Sequence, residues 1–226
     1  MLNKIATLLV LAITFIPSSA AVADVKASVI HGIPGAVVDV YVNDGLFLPG
    51  FTFGTVTGQV SLQAGNYDIK VYLAGQDPTS SLPILTLAAA LSEGQNVSVV
   101  AHLNGNGAPA LTPFFNDDST IANERGLPPA AVLSSRLFVR HVALAPTVSV
   151  IANGKSLFTL SNGTEAGADI RTHGYAAWLA LPGKKRPVFG PVSLKPDAGN
   201  LLVVYAVGSI QDGSFTVLTQ SIPLSQ

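Results

Sequence analysis

The sequence predicts an all-β protein: two tandem antiparallel β-sandwich domains that follow a signal peptide. Three observations favour this fold class. Short runs of β-forming residues recur along the chain, with Gly, Pro, Asn and Asp between them. The chain also repeats itself at an offset of 110 residues. Finally, 48% of the residues are hydrophobic and only 11% are charged, which supplies enough apolar material for large cores.

The first 23 residues have the pattern of a secretory signal peptide. Lys4 supplies a basic start, residues 5–16 form a twelve-residue apolar run, and Ala21-Val22-Ala23 fits the small-x-small cleavage rule. Twelve residues are too few to span a bilayer as a helix, which takes about 20. The alternative is an N-terminal core helix or membrane anchor. The pattern favours export to a secreted, periplasmic or cell-surface location.

The first strands follow directly. Residues 38–42 alternate apolar and polar positions, as a half-buried strand does, and Asn43-Asp44-Gly45 then favours a hairpin turn. Further strands are predicted at 60–62, 67–72, 84–91, 97–103 and 110–115. Their spacing is typical of an antiparallel sandwich and leaves no room for crossover helices. A helix is the alternative for the alanine-rich run 85–91, but its β-rich surroundings favour a strand.

A second copy becomes visible when the chain is compared with itself. At an offset of 110, five residues of 29–43 are identical to their counterparts: Val29, His31, Val38, Val40 and Asn43. At an offset of 105, Gly94, Val99 and Ala101 match Gly199, Val204 and Ala206. We therefore predict two diverged copies of one β unit. The predicted divisions are a signal peptide at 1–23, a first domain at 24–118, a linker at 119–135 with one helical turn at 121–125, and a second domain at 136–226.

Five segments of the first copy carry a family resemblance: His31 with Pro34, the strand Val38-Asp39-Val40-Tyr41, Phe53-Gly54, Ala64-Gly65-Asn66-Tyr67, and the acidic end Asn116-Asp117-Asp118. In order and spacing, this segment resembles the exported family called domain of unknown function 4397. The resemblance implies an immunoglobulin-like or transthyretin-like sandwich, often in tandem. That family has no established activity, so the resemblance implies no catalytic residues.

The second copy departs from the family pattern. Ser149 takes the place of Asp39, Ile151 takes the place of Tyr41, and Asn162-Gly163-Thr164 takes the place of Phe53-Gly54-Thr55. Its membership is therefore inferred mainly from the internal repeat.

Composition excludes several classes of function. The net charge is −1, whereas a nucleic-acid-binding protein needs a clustered basic surface. The chain contains no cysteine, which excludes disulfides and thiolate chemistry. Nucleophile elbows, phosphate-binding loops and the His-Glu-x-x-His metal motif are also missing from the sequence. We therefore predict a non-enzymatic protein without a cofactor or metal.

Four residues stand out as signature positions of the repeat: His31, Asp39, Tyr41 and His141. The histidines could each ligate a metal, but their spacing favours ordering of a local loop through a backbone carbonyl. The alternation around Asp39 predicts a solvent-facing or turn-bonding carboxylate. The competing hypothesis is a secreted hydrolase of polysaccharide or peptide, with a site assembled from His31, Asp39 and His102.

One acidic cluster, Asn116-Asp117-Asp118 with Glu124, is interpreted as a solvated start of the linker, with calcium binding as the alternative. The binding surface is predicted on two loops. Residues 49–55 would expose Phe51 and Phe53 for apolar contact, and the hairpin tip around Lys184, Lys185 and Arg186 would offer charge. The expected partner is an envelope or extracellular glycan or protein, with self-association as a further expectation because charge is sparse.

Overall fold

The structure is a computed structural model that describes residues 24–119 and 134–225. The proposed signal peptide, the helical turn at 121–125 and most of the linker lie outside these residues and stay predictions. The first copy has eight strands in the described residues: β1 (Val25–His31), β2 (Val37–Val42), β3 (Gly45–Thr52), β4 (Val60–Leu62), β5 (Gly65–Leu73), β6 (Leu85–Leu91), β7 (Asn96–Leu103) and β8 (Pro109–Phe115). The second copy has the same number: β9 (Ser134–His141), β10 (Val148–Ala152), β11 (Lys155–Leu160), β12 (Thr164–Arg171), β13 (Tyr175–Ala180), β14 (Pro187–Leu194), β15 (Asn200–Val207) and β16 (Thr216–Pro223).

Each copy contains two four-stranded sheets. Their orders are β4-β1-β7-β8 and β3-β2-β5-β6 in the first copy, and β12-β9-β15-β16 and β11-β10-β13-β14 in the second. The predicted class, all-β with two tandem sandwiches, is confirmed. One detail differs, since β1 pairs with β7, and β9 with β15, in parallel. The strands of the opposite sheet make the long connection, so no crossover helix is needed.

Most predicted strands of the first copy lie within two residues of the observed ones, including the alanine-rich β6. Two observed strands, β1 and β3, were not predicted, and for β3 the reason is that Pro49 and Gly50 suggested a loop there. The strand β3 lies at the edge of its sheet, where proline is tolerated, and its register shifts beside Gly50, whose φ is 59°. Residues 49–52 therefore belong to a strand, and the prediction of a loop there is wrong.

The two copies share local geometry as well as strand order. Asn43 and Asn153 follow β2 and β10 with φ values of 49° and 47°. The side-chain oxygen of each asparagine accepts a hydrogen bond from a backbone N–H at 2.9 Å, that of Asp68 for Asn43 and that of Ala176 for Asn153. An asparagine tolerates this left-handed backbone better than most residues. The turn that the repeat predicted is therefore the same in both copies.

A tyrosine hydroxyl that bonds a backbone carbonyl marks the same corner in each copy. Tyr67 donates to the carbonyl oxygen of Gln63 at 2.6 Å, and Tyr175 donates to that of Arg171 at 3.1 Å. In both cases the acceptor lies four residues upstream, as in the tyrosine corner of immunoglobulin-like sandwiches. These bonds hold the crossing between the two sheets of each sandwich.

The copies are also packed against each other. Apolar clusters lie between the sheets of each sandwich, two in the first copy and one in the second, and a fourth cluster combines residues of both copies. Its fully buried members from the first copy are Ile30 and Val100, and those from the second include Val203 and Tyr205. The strands β7 and β15 are consequently buried on both faces. A Cβ at Gly32 would lie 3.0 Å from Val207 of the other copy, so a glycine permits this close approach.

Among the described residues, no helix is long and apolar enough to cross a membrane.

Candidate functional site

The basic run of the second copy forms an exposed hairpin tip. Lys184, Lys185 and Arg186 lie between β13 and β14, which pair in antiparallel fashion. The N–H of Lys184 donates to the carbonyl oxygen of Leu181 at 2.9 Å, and the indole N–H of Trp178 donates to that of Lys185 at 3.2 Å. The backbone of the tip is therefore fixed while its three cationic side chains face solvent. Their position is the one expected from sequence, and their role in binding stays a prediction.

An apolar groove begins at the base of this tip. Leu181, directly after β13, and Val188, in β14, flank the three cations and are 43% and 57% exposed. Ile210, which is 54% exposed, lines the same groove, as do Phe189 and Phe215. The groove encloses about 280 Å³. Exposed aliphatic side chains that share one concave surface are a common feature of binding sites.

The other proposed binding loop, residues 49–55, does not expose its two phenylalanine rings. Phe51 is 7% exposed and packs with Val38, Val40 and Val71 in the core of the first sandwich. Phe53 is partly buried and packs against the apolar cluster between the copies. The expectation that both rings are exposed is wrong, because the irregular register of β3 turns Phe51 inward. The large apolar side chains that β3 exposes are those of Leu46 and Phe47.

His31 and His141 end equivalent strands, and both are buried. Nδ1 of His31 accepts a hydrogen bond from the N–H of Ile33 at 3.3 Å, and Nε2 of His141 lies 2.9 Å from the carbonyl oxygen of Pro146. Nε2 of His31 and Nδ1 of His141 have no hydrogen-bond partner among the described residues. Each imidazole thus holds the loop that follows its own strand.

Burial lowers the pKa of His31, His102 and His141. Each ring also has a backbone contact that raises its pKa by less than burial lowers it. The partners are Ala36 for His31, Leu103 for His102 and Pro146 for His141. The contact of His31 with Ala36 does not reach hydrogen-bond geometry. The neutral imidazole is therefore the form that the folded protein favours.

The lowered pKa values predict a loss of stability in mild acid. Below pH of about 6.5, the unfolded chain binds more protons than the folded chain does, because its histidines have the higher pKa. The free energy of unfolding should therefore fall as the pH falls. Urea unfolding between pH of about 7.5 and 5 measures this slope. His141→Gln should reduce the slope, and the same change at the exposed His173 is the control. A slope that His141→Gln leaves unchanged, or that both substitutions reduce equally, would contradict this assignment.

Asp39 is a buried carboxylate that bonds two turns. It is 9% exposed, and its two oxygens accept hydrogen bonds from the N–H groups of Gly50 (2.7 Å) and Gly75 (2.9 Å). Of the two predicted environments, the turn-bonding one is correct and the solvent-facing one is wrong. In the second copy Ser149 lies 3.2 Å from the hydroxyl of Thr159, a cross-strand contact that needs no charge. The ring of Tyr41 makes an edge contact with that of Tyr72 at 5.4 Å.

The three residues of the alternative hydrolase site are bonded separately. Nδ1 of His102 lies 3.1 Å from the carbonyl oxygen of Leu103, and its Nε2 lies 2.9 Å from the hydroxyl of Thr112. On the neighbouring strand, His31 pairs with Ala101, so the side chains of His31 and His102 point to opposite faces of their sheet. Within the described residues, no group of three or more His, Asp or Glu side chains could hold a metal ion.

A fully buried arginine, which sequence reasoning missed, joins the two copies. Arg140 on β9 has no exposed surface. Its Nε donates to Glu165 at 2.8 Å, its Nη1 to the hydroxyl of Tyr205 at 3.1 Å, and its Nη2 to the side-chain oxygen of Asn116 at 2.7 Å. Its guanidinium lies 4.8 Å from the ring centroid of Phe114. Asn116 and Phe114 belong to the first copy, so the guanidinium of Arg140 contacts both sandwiches.

Further polar groups complete this interface. The hydroxyl of Tyr205 donates to Gln220 at 2.9 Å and lies 3.0 Å from the hydroxyl of Ser98 in the first copy. Burial raises the pKa of Tyr205, so its hydroxyl stays protonated and can donate. Asn162, the counterpart of Phe53, donates to the carbonyl oxygen of Leu103 across the interface at 2.9 Å. The contact between the copies is therefore specific in its polar groups as well as in its apolar ones.

The acidic cluster belongs to the same interface. Arg136 of β9 forms an ion pair with Asp117 at 2.6 Å, and Asn96 donates to Asp118 at 2.8 Å. The N–H of Ser225 donates to the carbonyl oxygen of Asp118 at 2.6 Å. The interpretation of residues 116–118 as a merely solvated segment is wrong, because they bond the second copy. Glu124 lies outside the described residues.

Comparison with known families agrees with the geometry of the first copy. Residues 25–127 match the family described as domain of unknown function (DUF4397). The first copy belongs to the DUF4397 family. The matched segment contains the loop-ordering His31, the turn-bonding Asp39, the corner tyrosine Tyr67 and the acidic segment that contacts the second copy. Residues 136–226 lie outside the matched segment, and their membership in this family stays a prediction from the internal repeat.

No curated protein is significantly similar to the chain in sequence. Among solved structures, the chain resembles the Bacillus anthracis TIE protein with 8% identity and a TM-score of 0.26; the match covers 89% of this chain and 44% of that one. It also resembles a candidate cell adhesion protein from Bacteroides uniformis ATCC 8492 with 11% identity and a TM-score of 0.27, over 92% of this chain and 100% of that one. The chain thus spans less than half the length of the Bacillus protein.

Proposed function

We propose that this protein is an exported, non-enzymatic module of the cell envelope or extracellular space that binds a partner through the tip of hairpin β13–β14. The observation that carries the proposal is the position of three exposed cations, Lys184, Lys185 and Arg186, beside the apolar groove of Leu181, Val188 and Ile210. The signal-peptide pattern of residues 1–23 supports export.

The charge and the apolar groove of this surface indicate which chemical groups its partner carries. Three cations within a single turn attract carboxylate or sulfate groups, and the guanidinium of Arg186 can bond such a group at two points. The groove of about 280 Å³ accepts an apolar group beside that charge. An acidic extracellular glycan or protein with an adjacent apolar group fits both features. Since the cations are exposed, salt should weaken the contact.

The rest of the molecule supports presentation of such a surface. The interface around Arg140 fixes one sandwich against the other, so the hairpin projects from a two-domain body rather than from one small sandwich. Recognition residues are commonly carried by loops on such a scaffold. The hydrolase hypothesis has less support, because His31, Asp39 and His102 each bond separate loops or strands.

Replacing Lys184, Lys185 and Arg186 together by Ala should weaken binding to isolated cell envelopes by about tenfold or more, because the partner loses its charge complement. Sedimentation of the labelled chain with envelopes, at low and high salt, measures the loss. The matched control replaces Lys155, Arg171 and Lys195, three exposed cations elsewhere on the second copy, and causes the same change in net charge. Equal losses in both triple variants would leave only non-specific attraction and would refute the proposed site.

Enzymatic activity is tested in parallel on glycan, peptide and ester substrates. We expect no turnover by the unsubstituted chain. Turnover that His31→Gln or Asp39→Asn abolishes, while circular dichroism shows an intact fold, would replace the binding proposal with the hydrolase hypothesis.

A further inference from the structure

The strand β6 is an unguarded sheet edge. It ends the sheet β3-β2-β5-β6, and among the described residues no segment pairs with its outer side. Its sequence, Leu-Thr-Leu-Ala-Ala-Ala-Leu, contains no charge, proline or glycine. Soluble proteins normally protect such an edge, because its unpaired N–H and C=O groups can bind another strand.

The other edges show how this chain protects itself. Apart from the three-residue β4, every other edge strand of residues 24–119 and 134–225 contains a proline or a charged residue: Pro49 in β3, Pro109 and Pro113 in β8, Lys155 in β11, Glu165, Asp169 and Arg171 in β12, Pro187 and Pro191 in β14, and Pro223 in β16. The strand β16 also faces the first copy through Gln220 and Ile222. Among the strands of the described residues, β6 alone combines a length of seven residues with an unprotected edge.

Exposed apolar side chains continue this edge. Leu82 is 87% exposed and Ile84 is 41% exposed, directly before β6. Leu73, at the end of the neighbouring β5, is 43% exposed. Within β6, Leu85 and Leu87 face the sandwich core and are only half-buried. An added strand would cover apolar surface that the single chain leaves open to water.

We propose that β6 pairs in antiparallel fashion with β6 of a second copy of this chain, which joins two four-stranded sheets into one of eight strands. The two-fold axis of this pairing passes beside Ala88, the central residue of the strand. In this pairing Leu85 lies opposite Leu91 of the second copy, Thr86 lies opposite Ala90, and Leu87 lies opposite Ala89. Core-facing residues thus meet core-facing residues, as sheet register requires.

The strand of the second copy of this chain that can pair with β6 is identified by excluding the protected edge strands. A strand of another copy must itself have a free edge, and β6 is the one edge of adequate length that is unguarded in the described residues. Pairing of like with like gives a closed two-fold dimer, not an open filament. The pairing is independent of the proposed partner-binding surface, since β6 belongs to the first copy and the hairpin tip to the second.

Analytical ultracentrifugation of the purified chain tests the dimer. We expect a mass that rises from one chain to two with concentration. Ala88→Lys places two like charges opposite each other on the two-fold axis and should leave only monomer. The matched control is Ser193→Lys: Ser193 is exposed on β14 and takes the place of Ala88 in the second copy. A chain that stays monomeric, a dimer that survives Ala88→Lys, or growth beyond two chains would each overturn the proposal.

The register is tested separately by cross-linking. The chain has no cysteine, so Ala88→Cys introduces a single thiol. In the proposed pairing the two Ala88 Cβ atoms lie about 5 Å apart, and mild oxidation should link most of the dimer covalently. Two Ala90 side chains would lie about 13 Å apart, so Ala90→Cys should cross-link far less. Equal cross-linking by both variants, or greater cross-linking by Ala90→Cys, would refute this register. Loss of envelope binding by the hairpin variants would leave the dimer unaffected, so the two proposals fail independently.

Discussion

Arg140→Ala should reduce the free energy of unfolding by about 3–5 kcal/mol, because it removes one partner from a fully buried ionic network. The substitution leaves Glu165 without its ion pair, removes the donor to the hydroxyl of Tyr205, and leaves the side-chain oxygen of Asn116 with only the longer hydrogen bond from Ser98 at 3.4 Å. It also removes the guanidinium that lies over the ring of Phe114. Urea unfolding monitored by tryptophan fluorescence and circular dichroism measures the change.

The control for this prediction is Arg186→Ala, since Arg186 is exposed at the hairpin tip and should contribute less than about 0.5 kcal/mol. A loss of about 1 kcal/mol or less at Arg140 would match an exposed ion pair and would contradict the buried interface. A change from one unfolding transition to two would instead show that the sandwiches can unfold separately once this contact is lost.

The interface explains where the second copy departs from the first. Arg140 takes the place of Ile30, and Tyr205 takes the place of Val100, so at these two positions the second copy carries polar groups where the first carries apolar ones. Val142 likewise takes the place of Gly32, whose missing side chain leaves room for Val207. At these positions, the differences between the two copies therefore coincide with the contact between them.

The local features of the fold could be predicted from sequence because they depend on near neighbours. The turn at Asn43 needs a residue that tolerates positive φ, and the repeat placed the same residue at Asn153. Alternation predicted β2 and β5, and the β-rich surroundings of 85–91 predicted β6 correctly despite its alanines. The repeat also indicated that His31 and His141 hold equivalent positions, which the register of their strands shows.

The contacts between distant segments could not be predicted in the same way. Alternation placed Asp39 toward solvent, but its carboxylate turns inward to two N–H groups that come from different strands and turns. Nothing in the local pattern identifies Arg140 as buried. One signal was present: residues 201–207 contain no charged residue and are apolar throughout, which is typical of a strand buried on both faces. A second layer of protein beyond the sandwich could have been inferred from that run.

Phe51→Ala should lower the free energy of unfolding by about 3–5 kcal/mol, the usual loss for a buried aromatic ring. The ring is 7% exposed, packs with Val38, Val40 and Val71, and lies 5.5 Å from the imidazole of His31. Its removal leaves a cavity in a core that the irregular edge of β3 cannot close. Thermal and urea unfolding both report the loss, and the hairpin tip should keep its affinity as long as the chain is folded.

The matched control is Phe115→Ala, the same chemical change at a ring that is 49% exposed. Its loss should be about 1 kcal/mol or less, because half of that ring is already in water. The comparison separates burial from residue type. If Phe51→Ala abolished partner binding with an unchanged free energy of unfolding, Phe51 would belong to a binding surface and not to the core. We expect Phe51→Ala to lose much stability and still to bind the partner below its unfolding temperature. That result would assign residues 49–55 to the scaffold and leave the hairpin tip as the recognition surface.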